Sequence, residues 1–374
     1  MKIADFALER YFAQYEFTTP YILCSSDVQG MPMHELLALA DADALARWQS
    51  LTLGYTETSG LPALRAAIAN LYVGVTPDDV ITFAGAEEAV FIAANVLLGP
   101  GDHMITTWPG YQSLYEVGRA TGAEVTLIEL TPESGWNLTA DQVRQALRPN
   151  TKMVLINTPH NPTGSLMTQA DWHEVVALCA EAGVVLFADE VYRFIEYNTH
   201  DRLPAACELS TSALSLGVMS KAFGLAGLRI GWLVVRDADV RARLLAYKDY
   251  TTICNSAPSE ILALIALRAA PQVLARSQRI IQANVAAFAA ACVRHAPVLS
   301  MVPPQAGSVA FARLNLATPI AEVAHDLAHQ HGVLILPATV YGYPGNYFRV
   351  GFGKADFAEG LARFEAYLST HPHA

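Results

Sequence analysis

Between residues 62 and 235 the sequence alternates short apolar segments with amphipathic ones, and this alternation limits the possible folds more than any other feature. It is typical of a mainly parallel β-sheet that is covered by helices on both faces. Strands are predicted at 80–84, 103–107, 124–130, 153–157, 184–189, 213–217 and 228–235. Since ligands of such sheets bind beyond the carboxyl ends of the strands, a site is expected in the segments that follow them.

The last third of the chain has a different pattern. Residues 259–295 are rich in alanine and leucine, which predicts long helices. Short strands and further helices follow, and we interpret this part as a smaller α+β domain that the N-terminal segment crosses over to join. We therefore predict a large domain over 45–255, with a mostly parallel seven-stranded sheet, and a small domain formed by 1–44 and 256–374.

Composition excludes several classes of protein. A hydrophobic content of 52% with 16% charged residues indicates a densely packed globular chain. The net charge of -11 argues against nucleic acid as a partner, because phosphate binding needs a basic surface. No segment approaches the roughly 20 apolar residues of a membrane span, and the first residues lack a signal-peptide pattern. We expect no membrane partner and a cytoplasmic location.

The cysteines argue against a metal site. They are odd in number, widely spaced and free of any CxxC pattern, so we expect reduced thiols and no bound metal.

Lys221 is one of five lysines in the chain, and its sequence environment is unusual. It stands between Ser220 and a glycine-containing apolar run, with Arg229 eight residues further on. This pattern suits an amine that forms a Schiff base beside a bound anion. Because an ordinary lysine is roughly 99.9% protonated at pH 7, the role requires burial or nearby positive charge. A surface lysine before a buried strand is the alternative interpretation.

Three further patterns follow predicted strands. At Gly85 a strand leads into a helix, whose first free N–H groups attract anions such as phosphate, although capping alone explains this pattern equally well. Asn161 is bracketed by two prolines in a rigid turn that directs its amide across the sheet edge. Asp189 ends an apolar strand, where a buried carboxylate is costly unless a cation pairs with it. An ordinary turn and a solvated strand end remain the structural alternatives for the last two.

Taken in order, these motifs resemble those of the fold-type I pyridoxal-phosphate enzymes, and specifically the class I/II aminotransferases. The resemblance extends from Tyr55 to Arg349. It implies the fold of a PLP-dependent transferase, pyridoxal 5'-phosphate as cofactor, and an amino acid and a 2-oxo acid as substrates. It also implies a homodimer with shared active sites.

The resemblance further implies roles for individual residues around the cofactor ring. Lys221 would bind the cofactor covalently and carry the proton of the substrate Cα, while Asp189 would keep the pyridine nitrogen protonated. Asn161 and Tyr192 would bond the ring hydroxyl oxygen, and Tyr111 would stack on the ring. Lys221, Asp189 and Tyr192 are the expected catalytic residues.

Other residues are implied at the phosphate and the substrate. Arg349 would clamp the substrate α-carboxylate in a bidentate pair, with Asn161 beside it, and Tyr55 would reach the phosphate of the neighbouring subunit. The residues expected at the phosphate of the same subunit are Gly85, Ala86, Glu87, Ser220 and Arg229.

Two positions depart from the family pattern. Many relatives carry a phosphate-binding serine where this chain has Val218, which casts doubt on the phosphate site. Many also carry glycine after the proline of a C-terminal strand, where this chain has Pro337 followed by Ala338. The second departure puts the substrate side in doubt.

Two reactions of the same cofactor remain open from the sequence. The first is transamination. The second is β-elimination or replacement, because the turn at 159–162 resembles that of some carbon–sulfur lyases, and Ser25 and Ser26 with the run at 217–221 are similar to enzymes resembling capreomycidine synthase. A ligand sensor of this fold would need an added basic DNA-binding domain, and the sequence shows no basic segment of that kind. A nucleotide-dependent dehydrogenase would need a GxGxxG motif after the first strand, and none is found there. Substrate specificity is expected from 21–30, from Tyr111 and from the region around Tyr341.

Overall fold

The computed structural model describes residues 2–370, which contain a seven-stranded sheet, a four-stranded sheet, a two-stranded sheet and fourteen α-helices. The strands are β1 (Tyr21–Ile22), β2 (Val80–Phe83), β3 (His103–Trp108), β4 (Glu124–Glu129), β5 (Thr151–Asn157), β6 (Val185–Asp189), β7 (Leu214–Val218), β8 (Gly231–Val235), β9 (Leu299–Met301), β10 (Val309–Leu314), β11 (Val333–Leu334), β12 (Leu336–Pro337) and β13 (Tyr347–Gly351). The helices are α1 (Ala7–Tyr15), α2 (Met33–Leu37), α3 (Ala42–Gln49), α4 (Pro62–Ala69), α5 (Ala86–Leu97), α6 (Ser113–Ala120), α7 (Ala140–Ala146), α8 (Gln169–Glu181), α9 (Ala206–Leu209), α10 (Ala238–Lys248), α11 (Ala257–Arg268), α12 (Ala270–Arg294), α13 (Ile320–Asp326) and α14 (Phe357–Thr370).

The large sheet has seven strands in the order β2-β8-β7-β6-β5-β3-β4. All neighbouring pairs are parallel except those of β8, which is antiparallel to both β2 and β7. The predicted seven-stranded, mostly parallel sheet is confirmed. The connection from β7 to β8 spans residues 219–230 and contains no α-helix, which suits an antiparallel pair, whereas a parallel pair is usually joined through an α-helix. Lys221 and Arg229 both lie on this connection.

Both faces of the large sheet are buried, as its near-continuous apolar strands predict. Along β5, Met153 and Leu155 belong to one buried cluster, while Val154 and Ile156 belong to the other. Helices α5 and α10 contribute to the first cluster and helices α7 and α8 to the second. The prediction of helices on both faces is confirmed.

The smaller sheet is antiparallel, in the order β12-β13-β10-β9, and packs with the C-terminal helices. The sequence predicts one strand over 333–336, and this is wrong: the segment divides at Ile335 into β11 and β12. The reason is a change of partner, since β11 pairs in parallel with β1 and β12 pairs with β13. β1, from the N-terminal segment, pairs with β11 in this part of the chain. The residue boundaries of the two domains stay a prediction.

No single helix within the described residues is long and apolar enough to cross a membrane. Helices α11 and α12 pass that test only when taken together, and they are bent by 82° at the break between them.

The cysteines are free thiols, and Cys24, Cys179 and Cys207 are buried. Residues 2–370 contain no group of three or more His, Cys, Asp or Glu side chains arranged to hold a metal ion.

Candidate active site

A cavity of about 400 Å³ lies at the carboxyl ends of β5, β6 and β7. Ten of the twelve site residues predicted from the sequence line it, which are Ala86, Glu87, Tyr111, Asn161, Asp189, Tyr192, Ser220, Lys221, Arg229 and Arg349. Gly85 precedes the first residue of α5 and lies just behind this lining. The convergence follows from the topology, because the carboxyl ends of parallel strands meet at one edge of a sheet.

Lys221 extends from the β7–β8 connection into this cavity. Its Nζ donates a hydrogen bond of 2.8 Å to Ser26 Oγ and lies 5.9 Å from the centre of the Tyr192 ring. The pKa of the amine is lowered to about 8, because burial and the Arg349 charge outweigh the opposite effects of Asp27 and Asp189. An amine with a pKa near 8 has a neutral, nucleophilic fraction at neutral pH that an ordinary lysine lacks.

The depressed pKa of Lys221 predicts the pH dependence of its reactivity. In protein free of cofactor, lowering the pH through about 8 protonates the amine, so its acetylation rate should rise with pH up to about 8 and then level off. A lysine in a reference peptide, with a pKa near 10.4, should keep gaining reactivity above pH 9. Competitive acetylation with a trace amount of reagent, followed by mass spectrometry, measures the pH dependence of the acetylation rate for Lys221 and for the peptide lysine. A profile for Lys221 that follows the peptide would contradict the depressed pKa.

Asp189 lies at the end of β6 and is almost fully buried, with 6% of its surface exposed. Burial raises the pKa of its carboxyl group to about 7, although the Val191 N–H at 3.3 Å and the Lys221 charge lower it. A carboxylate in this position gains from a second cation. The protonated nitrogen of a pyridine ring fits that need.

Asn157, the last residue of β5, links the end of β6 at Asp189 to the turn that carries Asn161. Its Nδ2 donates a bond of 3.0 Å to the Asp189 carbonyl oxygen, and its Oδ1 accepts a bond of 2.7 Å from the Asn161 N–H. The sequence reasoning did not single out Asn157 as a site residue. The signal was its place as the last residue of a strand, directly before the proline-bracketed turn.

Arg349 lies on β13 and is 1% exposed. Its Nε donates to the Cys24 carbonyl oxygen at 2.9 Å, and its Nη1 donates to Asn161 Oδ1 at 3.2 Å and to Tyr341 Oη at 3.0 Å. Nη2 makes no hydrogen bond to any of residues 2–370. The guanidinium therefore keeps free donors on the side of the cavity, where a carboxylate can bind.

Tyr192 provides a direct test of whether the cavity suits the implied cofactor. Its hydroxyl is buried and meets the geometry of a hydrogen bond with none of the described residues, although the Ser26 side chain is near it. Buried hydroxyl groups are normally satisfied, so this one is suited to a ligand oxygen. Burial also raises the pKa of Tyr192, which keeps the hydroxyl protonated as a donor. Together with Asp189 and Asn161, it fits the ring of pyridoxal phosphate.

The expected phosphate site combines a helix N-terminus with Arg229. Helix α5 begins directly after Gly85, whose φ of 91° is in the left-handed region. A Cβ atom at Gly85 would lie 2.6 Å from Arg229 Nη2, and one at Gly231 would lie 2.7 Å from the Gly85 carbonyl carbon. Both glycines are thus required for the close approach of β8 to this helix, which brings the N–H groups of α5 and a guanidinium together as an anion site.

Val218, Ser220 and Glu87 differ in how they are placed relative to this anion site. Val218 is buried in the apolar core and does not line the cavity, whereas Ser220 does. The side chain of Glu87 is directed to Ser113 Oγ and Tyr111, and burial raises its pKa. Only the backbone N–H of Glu87 is therefore suited to a phosphate.

Tyr55 does not join the other predicted residues. It is 91% exposed and lies outside the cavity lining. The sequence expectation concerns the phosphate of a neighbouring subunit, so the role of Tyr55 stays a prediction.

The N-terminal segment forms one wall of the cavity, and most of this wall was not predicted from the sequence. The expectation of specificity residues near 21–30 included Ser25, Ser26 and Asp27, but α1 was not predicted. The residues of α1 and its end that line the cavity are Leu8, Glu9, Phe12 and Glu16.

The chain is similar to known proteins over most of its length. The family model for aminotransferase class I and II matches residues 20–363. Capreomycidine synthase of Streptomyces vinaceus is 30% identical over 99% of this chain and 94% of its own. Arginine–pyruvate transaminase of Pseudomonas aeruginosa is 27% identical over 77% of this chain and 75% of its own.

The fold has a similarly extensive match among solved structures. A PLP-dependent aminotransferase from Streptococcus suis superposes with a TM-score of 0.93, at 30% identity and with 100% of both chains covered. The family resemblance of the motifs is thereby confirmed. The chain belongs to the aminotransferase class I and II family and is a pyridoxal-phosphate-dependent enzyme.

Proposed function

We propose that this enzyme transfers an amino group between an L-amino acid and a 2-oxo acid. The observation that carries the proposal is the arrangement of Lys221, Asp189 and Arg349 around one cavity. These side chains offer a base of suitable pKa, a buried carboxylate and a free guanidinium face. A transaminase needs each of them at the same substrate.

The position of each side chain in the cavity indicates its role in the proposed reaction. When bound, pyridoxal phosphate supplies an electron sink for the negative charge that develops at the substrate Cα. Arg349 would bind the α-carboxylate through the donors that it leaves free, Asp189 would pair with the ring nitrogen, and Tyr192 would donate to the ring oxygen. Lys221 is close to Tyr192 and has a pKa near 8, so it can both accept and return the Cα proton.

Replacing Arg349 by lysine should raise KM for the amino donor by roughly 10- to 100-fold while kcat changes less. Lysine keeps the charge but loses the planar donors that bind Asn161 and a carboxylate, and a charged hydrogen bond contributes about 1.5–3 kcal/mol. Steady-state kinetics with one amino donor measures KM and kcat separately. The control is Arg313→Lys on the exposed side of the neighbouring β10, and equal KM values for both variants would contradict the role of Arg349.

A panel of half-reactions tests the proposed reaction. Holoenzyme is mixed with single amino acids in the absence of any 2-oxo acid, the cofactor spectrum is recorded, and the extracted cofactor and products are identified by mass spectrometry. We expect at least one amino acid to yield pyridoxamine phosphate and an equal amount of its 2-oxo acid. If no amino acid in the panel does so, the proposal is wrong.

A second candidate is β-elimination, replacement or cyclisation with the same cofactor. The similarity to capreomycidine synthase supports it, because that match covers 99% of this chain. Such a reaction leaves the cofactor as pyridoxal phosphate. In the same experiment it would release pyruvate and a thiol from cysteine conjugates, or a cyclic product from a hydroxylated amino acid, without pyridoxamine phosphate.

We also propose that the enzyme is a cytoplasmic homodimer. The exposed apolar residues Leu53, Tyr55, Tyr250 and Ile253 support a contact with a second copy, and free buried cysteines suit a reducing compartment. Light scattering of the purified protein tests the dimer. A monomer at all concentrations would also remove the proposed role of Tyr55 at a neighbouring phosphate.

A further inference from the structure

We propose that Glu9, Glu16 and Asp27 form an acidic wall that selects substrates whose side chain ends in a cation, a guanidinium or an ammonium group. The inference rests on the proposed function, because the substrate binds in the same cavity. It concerns which amino acid the enzyme accepts and is independent of the fate of its nitrogen.

The acidic wall is built mainly by one face of α1. Glu9, Phe12 and Glu16 follow one another at spacings of three and four residues, which places them on the same side of a helix. All three line the cavity, and Asp27 lines it from the segment after β1. The Phe12 ring lies 5.9 Å from the Arg349 guanidinium carbon. The wall is therefore adjacent to the expected carboxylate site.

Two of the three carboxylates lack a cation. Asp27 pairs with Lys354 at 3.0 Å, but within residues 2–370 neither Glu9 nor Glu16 has an arginine, lysine or histidine nitrogen within 4.0 Å. Glu16 is the C-cap of α1, where the helix dipole disfavours negative charge. Burial, and then the charges of Asp27 and Glu9, raise the pKa of Glu16, while the more distant charge of Lys354 opposes them.

These carboxylates line the same part of the cavity, where their charges disfavour further negative charge and favour a cation. Arg349 provides an independent observation that this space takes a ligand. Its side chain is 1% exposed and lines the cavity, and its Nη2 has no hydrogen-bond partner among the described residues. A ligand carboxylate at Arg349 fixes one end of the substrate, and Lys221, which is electrostatically coupled to both Asp27 and Glu9, marks the reacting carbon. The side chain of the substrate then extends beside the acidic wall.

The same arrangement works against acidic substrates. A side-chain carboxylate would add a fourth negative charge, and Arg10, the arginine of α1, does not line the cavity. The acidic wall therefore favours cationic side chains by attraction and disfavours acidic ones by repulsion.

L-Arginine and L-citrulline provide the test, because the two have nearly the same shape and differ by one positive charge. In half-reactions of the holoenzyme we expect half-saturation at a concentration at least about tenfold lower for L-arginine than for L-citrulline. The Glu16→Gln variant, and separately Glu9→Gln, should reduce this ratio to within about threefold. The matched control is Glu181→Gln, which removes the same charge at the C-terminal end of the exposed side of α8 and should leave the ratio unchanged.

A binding experiment separates this inference from the proposed reaction. Deamino-arginine and deamino-citrulline, in which hydrogen replaces the α-amino group, cannot react and are titrated into the holoenzyme by calorimetry. Preferential binding of deamino-arginine that Glu16→Gln abolishes supports the acidic wall, even if no amino acid ever loses its nitrogen. Equal binding of the two acids by the unchanged enzyme, or an equal effect of Glu181→Gln, overturns the inference. Thermal melting of each variant shows whether the fold is retained, and Glu9→Gln provides the second variant if Glu16→Gln does not fold.

Discussion

Replacing Lys221 by alanine is expected to slow the amino-acid half-reaction by roughly 10²- to 10⁴-fold, the contribution typical of a positioned general acid–base. The variant also loses the amine that binds the cofactor covalently. No other lysine can take over, since Lys221 is the only lysine that lines the described cavity. Stopped-flow absorbance at a saturating amino acid concentration measures the rate.

Borohydride reduction of the holoenzyme distinguishes loss of chemistry from loss of cofactor. It should fix the cofactor to the unchanged enzyme and to the exposed-lysine control Lys152→Ala, but not to Lys221→Ala, even where the latter retains cofactor through its phosphate site. A Lys221→Ala enzyme that still reacts at a rate close to that of the control would show that another group carries the proton.

Replacing Asp189 by asparagine is the second large expected effect. Asparagine keeps the size of the side chain but removes the charge that faces the ring nitrogen, and breaking a buried ion pair costs about 3–5 kcal/mol. We expect weaker binding of pyridoxal phosphate and a half-reaction slower by at least about 10²-fold. Fluorescence titration of the cofactor and single-turnover kinetics measure the two effects separately.

Glu190 provides a matched control for Asp189. The two carboxylates are adjacent and similarly buried, at 5% and 6% exposure, and burial raises the pKa of both to about 7. Glu190, however, accepts bonds from the Ala206 N–H and Ser215 Oγ and does not line the cavity. Glu190→Gln should affect thermal stability more than cofactor affinity. Similar losses of affinity in both variants would assign the effect of Asp189 to general disruption of the strand end.

The sequence predicted the large sheet well because its information is local. Each strand is a short apolar run with a breaker or a polar residue at its end, and the observed strands differ from the predicted ones by a few residues at most. The motif residues Asn161, Asp189 and Lys221 converge because they all follow strands of one parallel sheet. Their separate roles in catalysis stay predictions for the experiments above.

The acidic wall could not be predicted in the same way. Helix α1 has only nine residues, and its approach to the site depends on contacts between distant parts of the chain, such as the bond from Lys221 to Ser26 across 195 positions. The division of 333–336 between two sheets could not be predicted for the same reason. The strand with which each half pairs determines where β11 ends and β12 begins, and the local sequence pattern does not show it. Tyr55 lies on the surface of a single chain, so only the structure of a second copy beside it could define its contact.

The fate of the substrate nitrogen tests the central claim most directly. Holoenzyme is incubated with an ¹⁵N-labelled amino acid in a single turnover without any 2-oxo acid, and the extracted cofactor and free ammonia are analysed by mass spectrometry. If the enzyme transfers the amino group, the label is found in pyridoxamine phosphate and an equal amount of 2-oxo acid is released. Label in free ammonia or in a rearranged amino acid, with the cofactor recovered as unlabelled pyridoxal phosphate, would contradict this transfer.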